Sequence, residues 1–133
     1  MIIESEKVIV EKPIVEVFSF LSDLNNLESL MPKDKISDWK SDENTCSFTI
    51  QGMAQIGMKK VNSTPNTLIN IISNGKNPFE FKLDVHLKSI TESSTEGFLK
   101  FDGDVNPFMK MMIEKPLSNF FNHLAKQLRD TLS

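Results

Sequence analysis

The sequence predicts an α+β fold: a curved antiparallel sheet of about seven strands, two short helices after the first strand, and a long C-terminal helix. Three observations carry this. Residues 36–105 fall into consecutive strand-like segments, most of them alternating apolar and polar residues, separated by turn clusters. Pro13–Asp23 interrupts the strands with a helical period, Ile14, Val17, Phe18, Leu21 and Leu24. Asn106–Ser133 is helical in spacing almost throughout, about 42 Å long at 1.5 Å per residue, and needs one large surface to lie against.

Taken in order, Ile2–Val10 reads as a first strand whose faces are not cleanly separated: Ile3 and Ile9 fall on one, Val8 and Val10 on the other. Pro13 opens the first helix. Leu27, Leu30 and Met31 suggest a second short helix, ended by Pro32. Ile36–Lys40 is a strand around Trp39, and Ser41–Asn44 is a turn. Cys46, Phe48 and Ile50 alternate with polar residues, and Gly52 breaks the run. Ala54, Ile56 and Met58 follow. Leu68–Ile72 is apolar on both faces, so it is expected to be well covered. Asn74–Pro78 is the strongest turn signal in the chain. Phe79, Phe81, Leu83, Val85 and Leu87 then alternate with charged or polar residues, and Ile90 falls out of phase, which predicts a bulge. Leu99, Phe101, Gly103 and Val105 form the last strand. The short connections imply antiparallel neighbours.

In the long helix, Asn106 suits the N-cap and Pro107 the first helical position. Leu117, Phe120, Phe121, Leu124, Leu128 and Thr131 make one apolar stripe. Phe108, Met109, Met112 and Ile113 make another, rotated from it. The change falls at Pro116, which predicts a kink or a break. Two descriptions follow: two helices that simply pack on core, or a bent lid whose methionines repack around irregular contents.

At 133 residues, the chain is expected to form one domain, 1–133. With 15 basic and 18 acidic residues the net charge is −3, and no basic block appears, which argues against nucleic acid as a partner. The lone Cys46 fits a reducing compartment and reads as a small buried strand residue. The N-terminus lacks the pattern of a signal peptide, and no apolar run reaches membrane-spanning length; a cytoplasmic protein without integral membrane association is expected. Ten Phe and no Tyr describe a greasy interior with few polar handles.

Val8–Asp23 looks like a first strand, a proline-started helix and a Leu-Ser-Asp turn, and Leu24–Pro32 like a short second helix closed by proline. With the element order, these segments resemble the START/Bet v1-like superfamily, the helix-grip fold of polyketide cyclases and lipid-transport proteins. The glycine-rich loop of the plant allergen branch is absent and the chain is shorter than a full START domain, so the compact bacterial-type branch is the nearer match. The resemblance implies a curved sheet gripping the C-terminal helix around an apolar cavity. Members bind lipids, sterols or polyketides; some are cyclases, and some are partners of other proteins.

The residues expected to line that space are Phe48, Ile50, Ile56, Met58, Phe79, Phe81, Leu83, Leu99, Phe101, Gly103, Met109, Met112, Ile113 and Phe120. It is either filled core or an apolar pocket; Gly103, where a large side chain could have packed, tilts the reading toward a gap. No catalytic residue, metal or cofactor is assigned. His86 lies on a charged strand face, where a solvated side chain is expected. His123 lies on the flank of the helix stripe, where edge packing outweighs proton transfer. Glu80, Asp84, Asp102 and Asp104 read as a charged outer face. One Cys and two distant His do not make a zinc site. The reading chosen is a protein that binds or transports a hydrophobic small molecule, as a monomer or weak homodimer. The alternatives are a polyketide cyclase or dehydratase, and an interaction module with a closed cavity that docks partners through Phe108 and Met111.

Overall fold

The computed structural model describes residues 1–132. Its strands are β1 (Ile2–Glu4), β2 (Val8–Val10), β3 (Ile36–Ser41), β4 (Thr45–Ile50), β5 (Ala54–Thr64), β6 (Leu68–Ser73), β7 (Phe81–Thr91) and β8 (Ser94–Gly103). Helix α1 (Ile14–Ser22) and a 3-10 segment (Leu24–Leu30) separate β2 from β3, and α2 (Pro107–Leu132) follows β8. All pairings are antiparallel, in the order β1-β8-β7-β6-β5-β4-β3, with β2 also on β8.

The first strand, predicted as one piece, is two. Glu4 pairs with Lys100 and Val8 with Gly97, so Ser5, Glu6 and Lys7 face only Phe98 and Leu99. The extra residue is a bulge, and it reverses the side-chain phase. Ile3, Val8 and Val10 therefore all turn inward while Ile9 stays 40% exposed. Ser5 holds the bulge: its N–H donates to Leu99 O at 2.8 Å, and its Oγ accepts from Leu99 N at 2.9 Å.

The second short helix is 3-10 in form. Leu24, Leu27 and Leu30 recur every third residue, which lines them up on a helix of three residues per turn, and all three are buried. Lys60 fastens the end of α1 to the sheet, its Nζ donating to Ser22 O at 2.5 Å.

The sheet curls around α2. Strands β4 and β8 are four spacings apart, about 19 Å in a flat sheet. Yet the Phe48 ring on β4 lies 6.1 Å from Phe120, and the Phe101 ring on β8 lies 5.1 Å from Phe121. Neighbouring residues of one helix can touch both strands only if the sheet bends. Bulges supply the bend: register shifts at Asp38 in β3, where φ is 57°, at Val61 in β5, and at Ile90 in β7, the residue the sequence finds out of phase. Strand β6 is buried on its inner face at Ile69 and Ile71, while Leu68 and Ile72 on the other face are half-covered.

Asn106 caps α2, its Oδ1 accepting from Met109 N at 2.8 Å. The helix runs through Pro116 as one element, so the proline does not break it into two. Pro116 removes the donor to the Met112 carbonyl, but both residues are on the exposed flank, where water can replace it. Leu117, Phe121, Leu124, Ala125 and Leu128 are buried; Thr131, placed in the stripe by spacing, is exposed. No described helix is long and apolar enough to cross a membrane.

Candidate functional site

The inner face of the sheet and the buried stripe of α2 enclose two small apolar voids, each about 30 Å³. The first lies between Phe48, Ile50, Ile56, Met58, Phe79, Phe81, Leu83 and Phe101 of the sheet side and Leu117, Phe120, Phe121 and Leu124 of the helix. The second lies further along, among Val8, Leu21, Leu27, Leu30, Ile71, Val85, Gly97, Leu99, Ala125 and Leu128. Met58, Leu83 and Leu124 line both and so form the partition between them. Each void has about the room of one water molecule, far below the roughly 300–1,000 Å³ of ligand pockets. The interior is thus close to filled.

Outside the first void lies an open groove of about 730 Å³, between the 32–35 loop, the β4–β5 turn and the first half of α2. Ile50 and Phe120 line both this groove and the first void. They are the only side chains common to the two linings, and they make the wall between solvent and interior.

Of the residues predicted to line the cavity, Phe48, Ile50, Ile56, Met58, Phe79, Phe81, Leu83, Phe101 and Phe120 surround the first void, and Leu99 lines the second. Ile113 lines the groove instead. Met112 is at the groove's rim, 63% exposed, and Met109 is half-buried and lines neither void. Gly103 leaves no gap: a Cβ there would lie 2.7 Å from the Phe101 ring and 3.3 Å from Phe79, so those rings already occupy the room. Val85, Leu124, Ala125 and Leu128 were not predicted as lining. Val85 shares the strand phase of Leu83, and Ala125 follows Phe121 by four, so the signal was present for both.

Comparison with solved structures decides what this arrangement is. A START superfamily protein from Mycobacterium smegmatis matches 98% of the chain over 96% of its own, with a TM-score of 0.72 at 16% identity. Norcoclaurine synthase from Thalictrum flavum matches 98% over 85% of its own, with a TM-score of 0.75 at 12% identity. The chain has the START/Bet v1-like helix-grip fold. It also matches the di-domain ARO/CYC protein BexL over 98% of its length and 45% of that chain, with a TM-score of 0.74 at 10% identity. No protein-family model matches the sequence, and no curated protein matches it significantly.

Among the described residues no ionisable side chain lines either void, and every buried side-chain nitrogen or oxygen has a hydrogen-bond partner. His86 is on the outer face of the sheet, stacked on Phe98 with ring centres 4.8 Å apart. His123 is half-buried and lines the groove together with Gln51 and Asn119. The Cys46 thiol is pushed up to about 12, first by burial and then by the nearby Asp42 charge, and stays protonated at neutral pH. Among the described residues no group of three His, Cys, Asp or Glu could hold a metal ion.

Proposed function

We propose that the protein binds a hydrophobic small molecule, lipid or polyketide-like, between the sheet and α2, admitting it past Ile50 and Phe120. The observation that carries this reading is that one pair of side chains separates a groove of ligand size from an interior whose lining is apolar. An apolar guest would leave no buried donor or acceptor unpaired, and each buried methylene is worth about 0.8 kcal/mol. Room must come from movement of the walls. Met58 in the partition and Met53 and Met112 at the groove are unbranched side chains suited to repacking. The likeness in fold to norcoclaurine synthase and to an ARO/CYC protein fits a protein that takes a small molecule.

Native mass spectrometry and displacement of anilinonaphthalene sulfonate, across fatty acids, sterols and aromatic polyketides, test the proposal. Binding or displacement by at least one of these classes is expected, tighter in Phe120→Ala, where the wall is opened. A folded protein that binds none of them contradicts it.

A further inference from the structure

We infer that the guest is a single unbranched chain, threaded tail-first along α2, and not a fused-ring molecule; this rests on the binding reading above. The linings on α2 are staggered along the helix: residues between Met112 and His123 border the groove, those between Leu117 and Leu124 the first void beside it, and those between Leu124 and Leu128 the second void. From Leu117 to Leu128 is eleven residue steps, about 16 Å. That is close to half the roughly 30 Å hydrocarbon core of a bilayer, the depth one acyl tail covers.

The two walls across this path are made of side chains. Ile50 and Phe120 form the first; Met58, Leu83 and Leu124 the second. Rotation of one side chain at a time admits something as thin as a methylene chain. A rigid polycycle would need both voids and the partition between them widened together, in an interior packed at crystal-like density. At the far end, a Cβ on Gly97 would lie 3.2 Å from Leu87 Cδ2 and 3.8 Å from Leu128 Cδ2, so the space beside Gly97 is already occupied. Among the described residues, hydrogen-bonding side chains line only the groove and neither void; there Lys35, Gln51, Asn119 and His123 can receive a polar head group beside the Asp34 carboxylate.

The test measures affinities of the folded protein for octanoate, dodecanoate, hexadecanoate, dodecanol, pyrene and cholesterol. Affinity is expected to rise by up to about fourfold per methylene from octanoate to dodecanoate, to level off by hexadecanoate, and to be undetectable for pyrene and cholesterol. Val85→Ile puts one methyl group into the second void and should bring the dodecanoate-to-octanoate ratio toward one; Gly97→Ala, which narrows the same end, should do likewise. Pyrene or cholesterol binding as tightly as dodecanoate, or a wild-type affinity independent of chain length, overturns the chain proposal and leaves the binding reading standing. Binding of none of the six by the folded protein overturns both. The wild-type ranking decides even if a variant fails to fold.

Discussion

Phe120 and Phe48 stack with ring centres 6.1 Å apart and planes inclined by 30°. Trp39 stacks on the same Phe48 ring at 5.5 Å and 14°, so the one indole of the chain is a single ring away from the wall between groove and interior. Its position is fixed, since its Nε1–H donates to Ser41 Oγ at 2.9 Å. Entry of a guest past Phe120 is expected to shift or quench Trp39 emission, and Phe120→Ala to abolish that response while retaining binding. The truncation should cost about 2 kcal/mol by chemical denaturation, below the range of about 3–5 kcal/mol for a fully buried phenylalanine, because Phe120 is only half-buried.

Ser5→Ala tests the bulge between β1 and β2. The Ser5 hydroxyl stands where a strand carbonyl would otherwise accept from Leu99 N. Without it a part-buried N–H loses its partner, at a cost of about 1–3 kcal/mol. Amide exchange at Leu99 should accelerate by more than the global loss of stability explains.

Gly57→Ala should destabilise the protein by about 1–3 kcal/mol in denaturant unfolding. An added Cβ would run into the Asn74 carbonyl oxygen, and that carbonyl is held in place by Asn77 Nδ2 at 3.2 Å. Asn77 also pairs with the backbone of Gly57 through both ends of its amide, at 3.1 and 3.0 Å, as a neighbouring strand would.

Much of this fold was legible in the sequence where one residue decides one feature. The alternation of Cys46, Phe48 and Ile50 is the burial pattern of β4, Ile90 marks a bulge, and Asn106 caps α2. The reversal of phase between Ile3 and Val8 was visible as ambiguity; the bulge that resolves it depends on Ser5 meeting Leu99, a partner 94 positions away. Spacing could not tell which part of the first stripe of α2 would face inward, because Phe108 and Met112 are exposed on a helix that Pro116 does not break. Nor could it tell a gap from a filled space at Gly103, since that depends on where the Phe79 and Phe101 rings turn.

Cys46 gives a pH dependence. Its thiol rises from an ordinary 9.0 to about 12 on folding, through burial first and the Asp42 charge second. The unfolded chain then loses its proton at lower pH than the folded one. Stability from this group is fully present below about pH 9 and is lost as pH rises toward 12, with a slope of at most about 1.4 kcal/mol per pH unit. Cys46→Ala should unfold with a shallower alkaline slope in that window. Native thiol labelling by iodoacetamide at pH 8 should be far slower than in denaturant.

The most direct test of the account is where a guest lies. Methyl-labelled protein with bound dodecanoate should show nuclear Overhauser contacts from the chain to the methyl groups of Leu83 and Leu124, and from its terminal methyl to Ala125 and Leu128. Contacts confined to Met53, Met112 and the other groove residues, with those interior methyl groups unmoved, would contradict it.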